Sequence, residues 1–196
     1  FLVGKAHTKN FRLIINDVGV EVEEGKTILE AARKIDTYIP TICYHPDLPL
    51  PNRIKSTEAV YRGNEKIISN SGKEFDGCKL CFVQVEGREE LVLACCTPVS
   101  DGIKVYTETE RVREERKAQL MRILAKHPHA CLICAQKEGC TTEPCSTNVP
   151  VKERCCPKFG NCELQRVAEH IGIREDTPRY TPQDLPLVEN EPLFLR

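Results

Sequence analysis

A chain of 196 residues, 40% hydrophobic and 29% charged, is long enough for one large or two small domains of an ordinary globular protein. Its 28 basic and 29 acidic side chains leave a formal charge of −1, so no net field favours nucleic acid or an anionic membrane surface. No apolar run reaches the roughly 18 residues of a membrane span, and Phe1-Leu2-Val3 is too short for a signal-peptide core. We therefore expect a protein that does not span a membrane and works in the cytoplasm, at most peripheral to a membrane complex. Because the chain begins at Phe1 and not at Met, the natural start is expected to lie upstream.

In chain order, Phe11, Leu13 and Ile15 alternate with polar residues, Asp17-Val18-Gly19 offers a turn, and Val20 and Val22 alternate again, which predicts a β-hairpin. Thr27 with Glu30 is a capping box, and Ile28, Ala32 and Ile35 share one face of a short helix that stops before Pro40. Two strands and then a helix is how a β-grasp domain begins. Ile39 to Asp47 is a loop by its prolines, and the polar stretch from about Asn52 to Asp76 reads as an inserted surface loop. Strands are expected after Gly77-Cys78-Lys79-Leu80-Cys81, from Phe82 to Gly87, then over Leu91–Val99 and over Gly102–Tyr106.

Thr107 with Glu110 is a second capping box opening a charged helix that runs to about Lys126. Its stripe is Val112, Leu120, Ile123, Leu124 and then His127, while Arg111 to Lys117 read as a solvated face. Asn161 to His170 reads as a short helix stopped by Gly172. The remainder, with Pro178, Pro182, Pro186 and Pro192, is expected to be an extended tail.

Twelve cysteines are too many for packing alone. Outside the cell they would be disulfides, and inside it ligands or redox thiols; two C-x2-C pairs and one H-x3-C favour ligands. They fall into three groups. The first is Cys43, Cys78, Cys81 and a choice between Cys95 and Cys96, on loops and strand ends of one small sheet. A [2Fe-2S] cluster needs four thiolates on converging backbone, and loops supply it because their amide hydrogens can point at the sulfurs. The spacing is not the C-x4-C-x2-C of plant-type ferredoxins, since Cys43 lies far before Cys78. The second group, His127, Cys131, Cys134 and Cys140, has the form H-x3-C-x2-C-x5-C, a density of soft ligands that marks a metal or cluster site. Taken alone, His127 would read as a hydrogen-bonded core histidine, and the three following thiols overturn that. Cys145, Cys155, Cys156 and Cys162 form the third group.

Three segments carry a resemblance: Ile39-Pro40-Thr41-Ile42-Cys43-Tyr44-His45, Gly77-Cys78-Lys79-Leu80-Cys81-Phe82-Val83-Gln84-Val85-Glu86-Gly87, and Ala94-Cys95-Cys96-Thr97-Pro98-Val99. They resemble the N-terminal iron-sulfur region of the large iron-sulfur subunit of NADH dehydrogenase (respiratory complex I). The same domain opens iron-only hydrogenases and several NAD-linked formate dehydrogenases. The family's x-Thr-Pro context selects Cys95 as the fourth [2Fe-2S] ligand. Its next module holds a [4Fe-4S] cluster through one His and three Cys, which His127, Cys131, Cys134 and Cys140 match by spacing. In the family the last of these cysteines precedes x-Leu-Gln, a context that here belongs to Cys162, so Cys140 and Cys162 stand as alternatives. Either choice leaves four cysteines in the region, among them Cys145, Cys155 and Cys156, to be read as an extra [4Fe-4S] cluster or as free or redox thiols. The ending near Glu191–Arg196 resembles a lead-in to a further cluster module of the family, so the chain is expected to be a fragment of a longer subunit.

The resemblance implies an α+β architecture. A β-grasp [2Fe-2S] ferredoxin domain would span 1–106. A small, mostly helical [4Fe-4S] domain, ligated by one His and three Cys and carrying a cysteine-rich insertion, would span 107–175. The tail would be 176–196. The resemblance also implies an electron relay between a flavin-bearing, NADH-oxidising partner and a catalytic oxidoreductase subunit or domain: a hydrogenase, a formate dehydrogenase or a quinone site. With no G-x-G-x-x-G, P-loop or G-x-S-x-G, the chain is expected to have no catalytic centre of its own and to bind no nucleotide. The rival from another class is a zinc-stabilised structural or interaction module, since C-x2-C pairs serve zinc equally well.

Overall fold

The computed structural model describes residues 9–50, 59–68, 77–125, 127 and 161–173. The hairpin forms as β1 (Asn10–Ile15) and β2 (Val18–Glu23), paired antiparallel from Asn10↔Glu23 to Ile15↔Val18. Its turn is Asn16-Asp17, one step earlier than the sequence suggested, with φ of 48° and 71°. Asn and Asp tolerate that left-handed backbone, and a two-residue turn of this hand matches the twist of the strands. Alternation then buries Leu13, Ile15, Val20 and Val22 on one face.

That face is covered by α1 (Ile28–Lys34), whose capping box is present in full: Glu30 N donates to Thr27 Oγ1 at 3.3 Å and Thr27 N to Glu30 Oε2 at 2.8 Å. Ile28, Leu29, Ala31 and Ala32 are its buried side. The polar stretch taken for a plain loop contains a second hairpin, β3 (Ala59–Arg62) and β4 (Glu65–Ile68), turning at Gly63 with φ 58°. Each strand is only four residues long, too short for periodicity to show among the Gly, Asn and Ser around it.

Next come β5 (Phe82–Val85), β6 (Val92–Leu93) and β7 (Lys104–Tyr106). The five-stranded sheet has the order β2-β1-β7-β5-β6, with β7 parallel to β1 and the other pairs antiparallel. The chain is thus mixed α+β, a hairpin and helix folded onto a sheet whose last strand inserts beside the first. The Leu91–Val99 run is strand for only two residues, because Ala94, Cys95 and Cys96 turn.

Helix α2 (Glu110–Leu124) starts two residues later than expected: Thr109 is the N-cap, its Oγ1 accepting from Val112 N at 3.3 Å. Thr107 is taken by another partner. It is 1% exposed, its N donates to Asn16 Oδ1 at 2.9 Å, and Asn16 Nδ2 donates to its Oγ1 at 2.6 Å. Helix α3 (Glu163–Ile171) ends at Gly172, whose φ of 79° suits glycine. Glu108, just ahead of α2, lies 3.4 Å from His170 Nε2 near the end of α3, so the two helices run antiparallel. Leu120 and Leu124 of α2 and Leu164, Val167 and Ala168 of α3 share a second core with Leu80, which comes from the loop before β5. Among the described residues no helix is long and apolar enough to cross a membrane.

Candidate iron-sulfur site

Three loops bring the first cysteine group together. Ile39 and Thr41, both buried, anchor the segment that carries Cys43. Gly77 and Lys79 have φ of 82° and 55°, so the Gly77–Cys81 loop curls in a way that regular structure cannot. The curl directs Cys78 N at Cys43 Sγ, 3.3 Å away. The third loop is held by α1: its first N–H groups have no partner within the helix, and Ile28 N and Leu29 N donate to the carbonyls of Thr97 and Ala94, each at 3.0 Å. Ala94 N in turn donates to Cys81 O at 3.0 Å, so Cys95 is presented against Cys81.

The four thiols stand as two pairs. Cys81 and Cys95 are buried with Sγ atoms 3.3 Å apart, and half-buried Cys43 and Cys78 face each other. Within each pair the two sulfurs are driven in opposite directions. The Cys43 partner pulls Cys78 down to about 5, helped by the backbone N–H groups of Ile42, Leu80 and Cys43 although burial opposes it. Cys43 goes up correspondingly, through the same Cys78 bond and burial. Likewise Cys81 goes down, first through Cys95 and also through the nearby Arg116 cation, while Cys95 goes up. In each pair one sulfur thus has its pKa lowered, the direction that favours the thiolate that binds metal.

Such a donor set suits a two-iron cluster, which asks for two thiolates on each iron and amide hydrogens toward the sulfurs. Cys95 and Cys96 differ in setting: Cys95 is 2% exposed and faces Cys81, whereas Cys96 is half-buried, packs at the edge of the core and has its Sγ 3.4 Å from that of Cys95. A cleft of about 470 Å³ beside Ile14 and Gly19 has no thiol in its lining and is not the site.

Of the second and third groups the structure describes His127 and Cys162. His127 stands just past α2, its N donating to Leu124 O at 3.1 Å, and Cys162 is the N-cap of α3, packed against the second core. Since α2 and α3 are antiparallel, the two come to the same end of the helix pair. Cys131, Cys134, Cys140, Cys145, Cys155 and Cys156, and the tail 176–196, lie outside the described residues.

The residue that sequence reasoning missed is Arg116. Assigned to the solvated face, it is 2% exposed. The signal was its spacing: Val112, Arg116, Leu120 and Leu124 recur every four residues, which is one helix face.

Residues 61–110 match the family model described as a 2Fe-2S iron-sulfur cluster binding domain, a stretch containing Cys78, Cys81 and Cys95. That defines the class. Over 163 residues, 83% of this chain and 21% of the relative, it is 34% identical to the NADP-reducing hydrogenase subunit HndD of Solidesulfovibrio fructosivorans. The NADH-ubiquinone oxidoreductase 75 kDa subunit of Reclinomonas americana is 31% identical over 128 residues, 65% of this chain and 15% of its own length. The mitochondrial NADH-ubiquinone oxidoreductase 78 kDa subunit of Candida albicans is 30% identical over 121 residues, 62% of this chain and 14% of that protein. The chain therefore contains a 2Fe-2S iron-sulfur cluster binding domain and is homologous to a part of the large iron-sulfur subunits of NADH dehydrogenases and related hydrogenases, of whose length it spans only a small share. Its fold is also that of a chain in an NAD+-reducing [NiFe]-hydrogenase solved in the H2-reduced state, with a TM-score of 0.55 and 22% identity over 88% of this chain and 54% of that one.

Proposed function

We propose that this chain relays single electrons through iron-sulfur clusters, between a flavin-bearing, NADH-oxidising partner and a catalytic oxidoreductase subunit, in the cytoplasm or at the periphery of a membrane complex. The observation that carries the reading is the two thiol pairs on three converging loops, with Leu80 between them and the helix pair that bears His127 and Cys162. Cys43, Cys78, Cys81 and Cys95 would hold a [2Fe-2S] cluster. His127, Cys131 and Cys134 would hold a [4Fe-4S] cluster, and the common end of α2 and α3 supports Cys162 over Cys140 as its last ligand. Cys140, Cys145, Cys155 and Cys156 are then the set left for an extra [4Fe-4S] cluster. When bound, the clusters supply one-electron redox chemistry. The chain's own part is to present thiolates, bury Cys81 and Cys95 away from water, and fix the surrounding charge. An imidazole in place of one thiolate makes that cluster less negative and favours a higher potential.

Iron, zinc and acid-labile sulfide per chain, with EPR during stepwise reduction of anaerobically purified protein, test this. About six irons with one [2Fe-2S] and one [4Fe-4S] signal support the relay, and about ten add the extra cluster. Zinc without sulfide would overturn it in favour of a structural module.

A further inference from the structure

Helix α2 buries a charge where its neighbours on the same face bury hydrocarbon. Arg116 Nη1 donates to Glu108 Oε1 at 2.9 Å and Nη2 to the carbonyl oxygen of Phe82 at 2.8 Å. Its Nε is buried with no hydrogen-bond partner among the described residues. Burial is costly for a cation and depresses its pKa, which Glu108 offsets only in part, since that carboxylate is more than a third exposed. If α2 needed only to be pinned to β5, a neutral amide could donate to Phe82 O. Phe82 directly follows Cys81, so the guanidinium is fixed one residue from a candidate ligand, on the side away from water.

We propose that Arg116 is a positioning residue that sets the potential of the cluster held by Cys43, Cys78, Cys81 and Cys95, by fixing a positive charge behind Cys81, where its loop enters β5. The inference rests on the electron-relay reading. One-electron reduction adds a negative charge to the cluster, and a cation held in a low-dielectric interior favours that reduced form. Glu108 acts with the opposite sign from the rim of the small cleft it shares with Arg113, Arg116, Lys117 and His170.

The test is an EPR-monitored redox titration of the [2Fe-2S] signal in anaerobic holoprotein, for wild type, Arg116→Gln, Arg116→Lys and Glu108→Gln, with far-UV circular dichroism on each. At the wild-type midpoint, Arg116→Gln is expected to move the oxidised-to-reduced ratio about tenfold toward oxidised, equivalent to 59 mV for a one-electron couple. Arg116→Lys should stay within about threefold of wild type, and Glu108→Gln should move toward reduced. Shifts of the same sign in Arg116→Gln and Glu108→Gln, or a folded Arg116→Gln within about twofold of wild type, would make Arg116 only a pin. Where Arg116→Gln does not fold, Glu108→Gln still decides, because no shift or a shift toward oxidised overturns the proposal. A wild type with no [2Fe-2S] signal removes the relay reading itself, which separates that failure from this one.

Discussion

Leu80 is a side chain whose removal the structure makes costly. It sits between Cys78 and Cys81 in sequence, yet its packing is with Leu120, Leu124, Leu164 and Val167, and it is 0% exposed. Leu80→Ala removes three carbons, worth about 2.4 kcal/mol at about 0.8 kcal/mol each. The loop is tied to the thiols and α2 is tied to β5 through Arg116, so the walls cannot close on the void, and a cavity contribution brings the total to about 3–5 kcal/mol. For a chain of this size that is a fall in Tm of roughly 2–4 °C per kcal/mol. Thermal and urea unfolding of the holoprotein followed by far-UV circular dichroism measures it. Leu48→Ala, at a side chain 64% exposed, is the control and should change stability by less than about 0.5 kcal/mol. A Leu80→Ala cost below about 1 kcal/mol would refute the claim that this leucine closes the second core.

Cys96→Ala should keep the [2Fe-2S] EPR signal and Cys95→Ala should lose it; the reverse pattern would reassign the fourth ligand. The capping carboxylate of α1 gives a pH dependence. Burial pushes Glu30 up, but the bonds from Thr27 N, Lys26 Nζ at 3.0 Å and Thr27 Oγ1 outweigh it, so its pKa is lowered in the folded protein. A depressed carboxyl stabilises above its unfolded-state pKa, and that contribution is lost as pH falls through the folded value. The urea midpoint of wild type should therefore exceed that of Glu30→Gln at pH 7 by more than at about pH 4.5. A gap that is constant or widens on acidification would contradict this.

What could be read from sequence was what local periodicity decides. The hairpin, the Thr27–Glu30 box with its helix, and a C-x2-C loop running into a strand all follow from neighbours within a few residues. What was misread depends on distant partners. Thr107 looks like an N-cap, but Asn16, 91 residues away, occupies its side chain, and Thr109 caps instead. Leu91–Val99 has the composition of a strand, yet Ala94–Cys96 turn, and the carbonyls of Ala94 and Thr97 are taken by Leu29 N and Ile28 N of a distant helix. Arg116 obeys the helix period, and charge argued against following it inward until Glu108 and Phe82 O supplied its partners.

The junction between the sheet and the helix pair has a consequence for how regular a relay can be. Only Thr107, Glu108 and Thr109 separate β7 from α2, and the first is clamped to Asn16 through both backbone and side chain. Flexible tethers let two units swing and spread their separation over many ångströms. Here there is no slack to swing on. Two redox groups carried on either side of such a joint would keep one spacing through thermal motion, so each transfer would take a step of the same length rather than wait for a chance approach.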